Sequence, residues 1–330
     1  MLDDFILLDD ISEDYLHDIK AFIEEWNNDE DYIEVTTSGT TADPKTLRLK
    51  KKRVRAAARA TGRFFLFKKG QTALLNLSPL YIAGKLMIVR AIEYEMKLAV
   101  APLQGNPLKN IPDTAIYFGA FVPSQIVEII KDEKSTARLN SIQHIIIGGA
   151  PLEPDLENEL LGLKAKIFAS FGMTETITHF ALRKIGTPIY KCLSNYSIAV
   201  DDESCLVIRP NDIVEELLFT NDVIDYIDHQ TFKWRGRLDN VINSGGVKIH
   251  PEKAEKMIAH LLPDNRFYVT SKKDEKYGEV AVLVVEGDPG NDEILEDAKA
   301  SLPRHHAPKE LIIEDKFEVT PTQKIIRKKF

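Results

Sequence analysis

The chain has 330 residues, of which 44% are hydrophobic and 28% charged, and its formal net charge is −8. This length suffices for one large and one small domain, and the acidic balance disfavours a broad nucleic-acid-binding surface. Cys192 and Cys205 form no CxxC pair and are too few for a disulfide framework, so a reducing, cytoplasmic environment is expected. No apolar run approaches the ~18 residues of a membrane span.

The first part of the chain has a periodicity that predicts helices alternating with strands. Ser12 is expected to cap a helix whose apolar residues recur at helical spacing from Ile11 to Trp26. A strand follows around Val35, and residues 50–68 fit a basic helix. Strands are then predicted at TALLNL, KLAVA, TAIYFG, QHIIIGG and AKIFASFG, with helices at GKLMIVRAIEYE, PSQIVEIIKDE and EPDLENELLGL. Such alternation indicates a parallel sheet covered on both faces.

The second part of the chain changes character. Within residues 197–235, the short segments SIAV, CLVIRP, VEELLFT and FKWRG are expected to form antiparallel strands. The elements predicted after residue 240 are a helix from Pro251, strands near 266–271 and 280–286, a helix near 291–301 and a strand at LIIED. The expected fold class is α/β. A large domain, residues 1–238, has parallel or mixed sheets flanked by helices plus a short antiparallel β segment, and a small α+β domain spans residues 239–330.

The stretch VTTSGTTADPK, residues 35–45, is rich in hydroxyl side chains and ends in Lys45. Backbone N–H groups and hydroxyls in a glycine-containing turn can hold phosphate oxygens, and a lysine adds a compact positive charge. The spacing is not that of a Walker A loop. Taken alone, the stretch fits a solvent-exposed Ser/Thr loop equally well.

Six segments in a fixed order favour the phosphate-binding interpretation over the solvent-exposed loop. They are TSGTTADPK at 37–45, GGAP at 148–151, FGMTET at 171–176, TND at 220–222, WRGRLDNVINSGGVKIHPEKAE at 234–255 and PTQKIIR at 321–327. Together they resemble the motifs of the adenylate-forming (AMP-binding) superfamily of acyl-CoA synthetases, luciferases and peptide-synthetase adenylation domains. One such match is weak, whereas an ordered set over nearly the whole chain is strong.

The resemblance implies a two-step reaction. A carboxylate first displaces pyrophosphate from ATP to form an acyl adenylate, and the acyl group then passes to a thiol such as coenzyme A. Catalysis of the first step is mostly positioning and charge neutralisation. By resemblance, residues 1–238 are the adenylation domain, trimmed at its N-terminus, and residues 239–330 are a mobile domain that rotates about a hinge at Asp239.

The resemblance also assigns roles to matched positions. Catalysis is expected from Lys324, which bridges the carboxylate and the α-phosphate, from Thr174 on the α-phosphate, and from Glu175, which holds Mg²⁺. The residues expected to bind the nucleotide or coenzyme A are Thr37, Ser38, Gly39, Thr40, Thr41 and Lys45 at the β- and γ-phosphates, Gly149, Ala150, Phe171 and Gly172 on the adenine side, Asp222 and Arg237 at the ribose, and Gly246 along the pantetheine arm.

Four positions depart from the family pattern. Ala42 replaces a glycine of the phosphate loop, Asn221 replaces the glycine of TGD, and Gln323 replaces the glycine before Lys324. Tyr81 stands where a histidine is common, and it keeps an aromatic ring with a polar tip. Ala42 and Gln323 motivate the alternative that the chain is a non-catalytic nucleotide-binding relic.

The segment SPLYIAGKLMIVRA resembles short bacterial o-succinylbenzoate–CoA ligases of menaquinone biosynthesis. That acid has two carboxylates, and the one that is not activated needs a positive group or donors. The expected substrate-binding residues are Tyr81, Gly84 and Lys85, with Lys85, assisted by Arg90 or Tyr81, on the second carboxylate. A lysine that points to solvent is the competing interpretation.

Other functions stay open at this point. The chain could act on another aromatic or fatty acid, or load a carrier protein. The stretch from Lys45 to Lys69 holds eleven Lys and Arg and no acid, which fits a solvated helix face better than a nucleic-acid site. Some of these cations, or Arg304 and His305, could meet coenzyme A phosphates. No partner other than the small molecules is predicted, and the sequence indicates no oligomeric state.

Overall fold

The computed structural model describes residues 5–8, 11–36, 46–319 and 325–330. The chain divides into two compact units, each assembled from more than one stretch. The first comprises Met1–Ile198, Ile208–Leu218 and His229–Thr231, and the second comprises Ala199–Val207, Phe219–Asp228 and Phe232–Phe330. The predicted C-terminal domain, residues 239–330, lies wholly within the second unit.

The first unit is built on a large sheet with helices beside it. Its helices are α1 (Glu13–Asn27), α2 (Lys51–Phe65), α3 (Ile82–Glu93), α4 (Pro123–Ile130), α5 (Glu133–Ser141) and α6 (Pro154–Leu160). Its strands are β1 (Phe5–Leu7), β2 (Tyr32–Thr36), β3 (Thr46–Lys50), β4 (Thr72–Leu75), β5 (Lys97–Val100), β6 (Phe118–Phe121), β7 (His144–Ile147), β8 (Lys166–Gly172), β9 (His179–Lys184) and β10 (Ile189–Cys192).

The order of these strands is β1-β5-β4-β6-β7-β8-β9-β10. The first six are parallel, and β9 and β10 continue antiparallel. Every residue of β4 and β6 is buried, as expected for central parallel strands covered on both faces. Strands β2 and β3 form a separate antiparallel pair. The predicted α/β class with a large sheet flanked by helices is confirmed, although neither β3 nor α5 was predicted.

Helix α1 forms where the sequence predicts it. The Ser12 hydroxyl accepts a hydrogen bond from the Tyr15 amide at 3.4 Å and so caps the helix. The apolar residues buried on one face are Tyr15, Ile19, Phe22, Ile23 and Trp26. Among the described residues, every helix is too short or too polar to cross a membrane.

Helix α2 carries much of the basic run, and acids from distant parts of the first unit pair with some of its cations. The Glu93 carboxylate, whose side chain is 8% exposed, accepts hydrogen bonds from Arg55 Nε at 2.7 Å and Arg59 Nε at 2.9 Å. Glu215 accepts one from Lys50 Nζ at 3.0 Å. These pairs agree with the interpretation of the basic run as a solvated helix face.

The second unit contains two groups of strands. Residues 197–235 form β11 (Ile198–Val200), β12 (Cys205–Ile208), β13 (Leu218–Asp228) and β14 (Thr231–Arg237), in the order β14-β13-β12-β11. The remaining elements are β15 (Ile242–Ser244), β16 (Val247–Ile249), α7 (Pro251–Ile258), β17 (Phe267–Asp274), β18 (Gly278–Glu286), α8 (Ile294–Ser301) and β19 (Glu310–Glu314). Strands β16-β15-β18-β17 are neighbours, and β19 pairs in parallel with β18.

The five-stranded sheet of the second unit has an apolar layer on each face. The larger layer packs α7 and α8 onto the sheet and includes Ala254, Ile258, Leu283 and Ala298. The smaller layer consists of Tyr268, Val282, Val284 and Phe317, with Ile312 and Ile325 packed against it. The last described segment is therefore part of this unit's core.

Candidate functional site

Two of the six motifs lie largely outside the described residues. These are the phosphate loop, with the predicted positions Thr37, Ser38, Gly39, Thr40, Thr41 and Lys45, and the segment that holds Lys324. The departures at Ala42 and Gln323 fall there as well. On either side of the loop, β2 and β3 pair in register at Thr36 and Thr46, so the structure describes the two strands that the loop connects.

The motif FGMTET lies where β8 ends and a one-turn 3₁₀ helix, Thr174–Thr176, begins. The buried Thr176 hydroxyl accepts a hydrogen bond from the Met173 amide at 3.0 Å and is 2.7 Å from the Thr178 carbonyl oxygen. This turn leaves Thr174 and Glu175 exposed. Both predicted phosphate and magnesium residues are therefore accessible to a ligand.

Gly172 is required by close packing at this strand end. A Cβ atom there would lie 2.5 Å from the Cα of His179 and 2.5 Å from the carbonyl oxygen of Thr178. The register between β8 and β9 shifts at the same point, between Phe171 and Gly172. Gly172 therefore allows the close approach of the antiparallel strand β9, and this packing role is independent of nucleotide binding.

The motif GGAP follows the end of β7. Gly149 has a φ of +89°, which favours glycine, and Gly149 and Ala150 are not buried. The Phe171 ring packs edge-on against the rings of Phe180 and Tyr190, with centroids 5.6 and 5.3 Å away. Because β7 and β8 are parallel neighbours, both motifs lie at one carboxyl edge of the sheet, where open α/β folds bind ligands.

The predicted ribose residues lie together in the second unit. Asp222 Oδ1 accepts a hydrogen bond from Trp234 Nε1 at 2.9 Å, and Asp222 Oδ2 is 3.9 Å from an Arg237 nitrogen. Arg237 also donates to Asp239 Oδ2 at 2.6 Å. The hydrogen bond from Arg237 lowers the pKa of the Asp239 carboxyl below its usual value. The structure therefore brings the predicted hinge residue and both ribose residues into one charged cluster.

Asn221 belongs to the same cluster, although it departs from the family pattern. Its side-chain amide donates to Asp239 Oδ1 at 2.9 Å. A glycine could not make this bond. The departure therefore adds a polar contact to the predicted hinge residue.

Gly246 lies in the tight turn between β15 and β16. Ser244 pairs with Val247 across a two-residue connection, and Gly245 and Gly246 have φ angles of +56° and +84°. These angles are typical of the turn that joins twisted antiparallel strands. No atom lies within 4 Å of where a Gly246 Cβ would be, so this backbone is open to approach.

The predicted substrate residues lie at the start of α3, which follows β4. Tyr81 precedes the helix, and its side chain is exposed. Gly84 is packed tightly, since a Cβ would lie 2.2 Å from the Ser78 carbonyl oxygen. Lys85 is buried, and its ammonium donates to Glu25 Oε2 at 2.7 Å and to the Glu34 carbonyl oxygen at 2.8 Å. This geometry argues against Lys85 as the ligand of a substrate carboxylate, because its charge already has a carboxylate partner.

We expect Lys85→Met to lower the free energy of unfolding by about 1–3 kcal/mol, because it removes the ammonium that donates to the Glu34 carbonyl oxygen and to Glu25 Oε2. The kcat/KM for the carboxylic acid substrate should stay nearly unchanged. Chemical denaturation and steady-state kinetics check this, with Lys131→Met, which removes an exposed pair to Glu128, as the control. A large loss of kcat/KM at unchanged stability would restore Lys85 as a substrate residue.

Arg90, in the last turn of α3, is a buried cation whose guanidinium carbon lies over the Phe118 ring, 5.9 Å from the ring centroid. It is 2% exposed, and its Nε and one terminal nitrogen are buried with no hydrogen-bond partner among the described residues. Burial lowers the pKa of this arginine from 12.5 to about 9, so it remains charged at neutral pH. A buried charge with few hydrogen bonds is costly, which makes Arg90 a candidate for contact with an anionic group.

His179 is the titratable neighbour of this arginine. Its Nε2 is 3.2 Å from the Thr61 hydroxyl, and its Nδ1 is 3.4 Å from the Thr178 hydroxyl. Burial and the charge of Arg90 hold the pKa of His179 well below its usual value. The histidine is therefore neutral, and Arg90 supplies the positive charge here.

Residues 10–211 match the protein family described as AMP-binding enzyme. The chain belongs to this family. The match covers more than half of the chain and includes the phosphate loop and both motifs at the carboxyl edge. The resemblance to adenylate-forming enzymes, drawn from six short motifs, is confirmed.

Individual members of the AMP-binding enzyme family are similar over most of the chain. The 2-succinylbenzoate–CoA ligase of Staphylococcus epidermidis is 24% identical, with 89% of this chain and 68% of that protein covered. An AMP-forming acyl-CoA synthetase/AMP-acid ligase II-like protein of Dyadobacter fermentans is 30% identical, with a TM-score of 0.68 and 95% and 92% of the two chains covered. These matches support an AMP-forming acyl-CoA ligase.

A third relative shares the fold at lower identity. The o-succinylbenzoate–CoA synthetase of Bacillus subtilis, in complex with ATP and magnesium ion, is 18% identical, with a TM-score of 0.74. The alignment covers 89% of this chain and 68% of that one. The arrangement of the large sheet and its helices is thus that of AMP-forming ligases.

Proposed function

We propose that this protein is an acid–thiol ligase that adenylates o-succinylbenzoate with ATP, releases pyrophosphate and transfers the acyl group to coenzyme A, as a step of menaquinone biosynthesis in the cytoplasm. Family membership supports the reaction class. The observation that favours an acid with a second anionic group is the buried, charged Arg90, two of whose nitrogens have no hydrogen-bond partner among the described residues. A monocarboxylic acid would leave this guanidinium without a counter-charge once its own carboxylate is joined to AMP.

The chain's residues would divide the work as follows. The phosphate loop, with Ser38, Thr40, Thr41 and Lys45, would hold the β- and γ-phosphates, and the exposed Thr174 would donate to the α-phosphate. Asp222 would accept from the ribose hydroxyls. Each contact fixes the α-phosphorus for attack or offsets the charge that develops on its oxygens.

Mg²⁺ would bind at Glu175. This cation prefers oxygen ligands, and enzymes often hold it by one or two carboxylates together with substrate phosphates. Glu175 is exposed at the carboxyl edge beside Thr174, and so fits this arrangement. Within the described ranges, no cluster of three or more His, Cys, Asp or Glu side chains could hold a metal by itself, so the phosphates would supply further ligands. The bound ion would neutralise phosphate charge.

Lys324 would bridge the substrate carboxylate and the α-phosphate during adenylation. For the second half-reaction, residues 239–330 would rotate about Asp239, and the open backbone at Gly246 would border the pantetheine arm. Such domain movements limit turnover in many enzymes.

The test is exchange of labelled pyrophosphate into ATP, with o-succinylbenzoate, benzoate, phenylacetate and octanoate assayed in parallel. We expect exchange with o-succinylbenzoate alone and a fall of about 10²-fold or more in Lys324→Ala. Lys329→Ala, which removes an exposed lysine nearby, is the matched control. Thioester formation with coenzyme A then checks the second half-reaction.

The other outcomes separate the alternatives. Exchange with octanoate or benzoate would support the reaction class and reject o-succinylbenzoate as the substrate. ATP binding without exchange for any of the four acids would favour the relic that Ala42 and Gln323 suggest.

A further inference from the structure

The loop that carries the predicted phosphate and magnesium residues connects β8 to β9 and comprises residues 173–178. Its two exposed residues Thr174 and Glu175 are followed directly by two buried ones, Thr176 and Ile177, which are 0% and 2% exposed. The buried pair therefore lies in the chain between the candidate ligands of ATP and Mg²⁺ and strand β9.

Ile177 has a backbone conformation that is unusual for its residue type. Its φ and ψ are +67° and −45°, and the Thr178 amide donates to the Thr176 carbonyl oxygen at 2.7 Å. This is a γ-turn with a positive central φ, the rare and strained form of that turn. A positive φ is costly for a β-branched residue, and such a conformation persists only where the surrounding structure holds it. The contacts of the loop must therefore fix this turn.

The Thr176 side chain joins the two ends of the loop. Its hydroxyl oxygen accepts from the Met173 amide at 3.0 Å and lies 2.9 and 2.7 Å from the carbonyl oxygens of Met173 and Thr178. Since a hydroxyl has one proton, it donates to one of these carbonyls at a time. The Tyr196 hydroxyl donates to the Thr176 carbonyl oxygen at 3.4 Å. Thr176 is thus held through its side chain and its main chain.

Main-chain hydrogen bonds connect the buried pair directly to the exposed residues. The Ile177 amide donates to the Thr174 carbonyl oxygen at 2.9 Å, and the Thr176 amide donates to the Met173 carbonyl oxygen at 3.1 Å. These two bonds close the single 3₁₀ turn in which Thr174 and Glu175 lie. The direction of both exposed side chains therefore depends on the main chain at Thr176 and Ile177.

The far end of the loop is anchored to helix α2. His179, which pairs with Gly172 across the two strands, is the first residue of β9. The Thr61 hydroxyl donates its proton to the Ala57 carbonyl oxygen at 3.3 Å, so its oxygen accepts from His179 Nε2 at 3.2 Å. His179 Nδ1 then accepts from the Thr178 hydroxyl at 3.4 Å. These bonds fix the residues that follow the strained turn.

We propose that Thr176 and Ile177 are positioning residues that hold Thr174 and Glu175 at the phosphates and Mg²⁺ of ATP. The inference rests on the proposed function, in which the two exposed residues make those contacts. Thr176 and Ile177 are themselves buried, so they act through the 3₁₀ turn. Their loss should therefore weaken the use of metal and nucleotide and leave binding of the acid nearly unchanged.

The first test compares Thr176→Val, which keeps the side-chain shape without the hydroxyl, with Thr176→Ser, which keeps the hydroxyl. In Thr176→Val we expect kcat for acid-dependent pyrophosphate exchange to fall about 10- to 100-fold. The Mg²⁺ concentration for half-maximal exchange should rise about 10-fold, and the KM for the acid should be nearly unchanged. Thr176→Ser should recover most of the exchange. Thr136→Val, which removes a hydroxyl bonded to main-chain carbonyls beside α5, is the matched control.

A second pair of variants tests the strained turn. Ile177→Ala removes most of the buried side chain and should act like Thr176→Val, whereas the β-branched Ile177→Val should exchange nearly normally. Ile142→Ala opens a cavity elsewhere in the core of the first unit. It should lower thermal stability without changing the Mg²⁺ dependence, which separates loss of packing from loss of positioning.

Metal binding can be measured without turnover. Electron paramagnetic resonance follows the binding of Mn²⁺ in the presence of ATP, and Thr176→Val should weaken it about 10-fold. In the background of Glu175→Gln, the same substitution should have little further effect, because the residue through which Thr176 acts has already lost its charge.

Three results decide against the proposal. One is an unchanged Mg²⁺ dependence in folded Thr176→Val and Ile177→Ala. Another is an equal further loss of Mn²⁺ binding in the Glu175→Gln background, which would indicate general damage to the loop. The third is an equal rise in the KM for the acid. If the unaltered protein exchanges with no acid, the proposed function has failed, and the Mn²⁺ measurement still decides this inference because it needs no acid.

Discussion

Arg90→Met is expected to lower kcat/KM for o-succinylbenzoate by about 10²- to 10³-fold, the range for removing one partner of a buried charge pair. The same substitution should leave the free energy of unfolding unchanged or higher. The guanidinium is buried with two nitrogens that have no partner among the described residues, and methionine fills similar space without a charge to desolvate. Steady-state kinetics and chemical denaturation measure the two effects.

A matched pair of acids isolates the contact. 4-Oxo-4-phenylbutanoate is o-succinylbenzoate without its ring carboxylate. The unaltered enzyme should strongly prefer the dicarboxylate, whereas Arg90→Met should barely distinguish the two acids. Arg138→Met, which alters a half-buried arginine of α5, should keep the preference. If Arg90→Met lost activity equally with both acids, Arg90 would support the fold of the site without recognising the second carboxylate.

Asp222→Asn is expected to lower kcat/KM for ATP by about 10- to 100-fold, the value of a charge-assisted hydrogen bond between carboxylate and ribose. The asparagine side-chain oxygen can still accept the hydrogen bond from Trp234, so the fold should change little. The negative charge beside Arg237 is lost. Kinetics at saturating acid measure the effect.

Deoxynucleotides show whether the lost interaction is with the ribose. With the unaltered enzyme, 2′-deoxy-ATP and 3′-deoxy-ATP should be poorer substrates than ATP. In Asp222→Asn that discrimination should largely disappear, because the groups no longer interact. Asp225→Asn on the same strand, where the carboxylate pairs with Arg235, is the control. Undiminished discrimination in Asp222→Asn would place the ribose elsewhere.

The main elements of the fold could be predicted because apolar periodicity reports burial. Helix α1 and the parallel strands β4 to β8 have clear apolar patterns, and these were predicted from residue order. Strand β3 has only Leu47 and Leu49 as apolar residues, and it exists through its pairing with β2. Helix α5 buries little besides Leu139 and is capped by Asp132. Such elements depend on tertiary partners, and their local sequence carries little signal.

The residues of the candidate site could likewise be predicted only in part. Glycine, hydroxyl and acidic residues in short motifs identified the segments expected to bind the nucleotide, because the chemistry of nucleotide binding restricts their sequence, and the structure places GGAP and FGMTET at one carboxyl edge of the sheet. Whether each buried cation has an anionic or hydrogen-bond partner could not be predicted. Lys85 pairs with Glu25, sixty residues away in sequence, whereas Arg90, in the same helix, has no described partner for two of its nitrogens. Both look alike in sequence, since burial and pairing are set by tertiary structure.

The pairing along α2 changes how this surface should behave in solution. A run of eleven Lys and Arg suggests a condensed layer of counterions that a polyanion could displace. Glu93 and Glu215 already act as built-in counterions for part of that run. Each of these carboxylates takes the place of a mobile anion, so the entropic drive to bind a polyanion is smaller than the number of cations alone suggests. In the folded chain, carboxylates of the protein itself therefore take the place of part of the mobile ionic atmosphere.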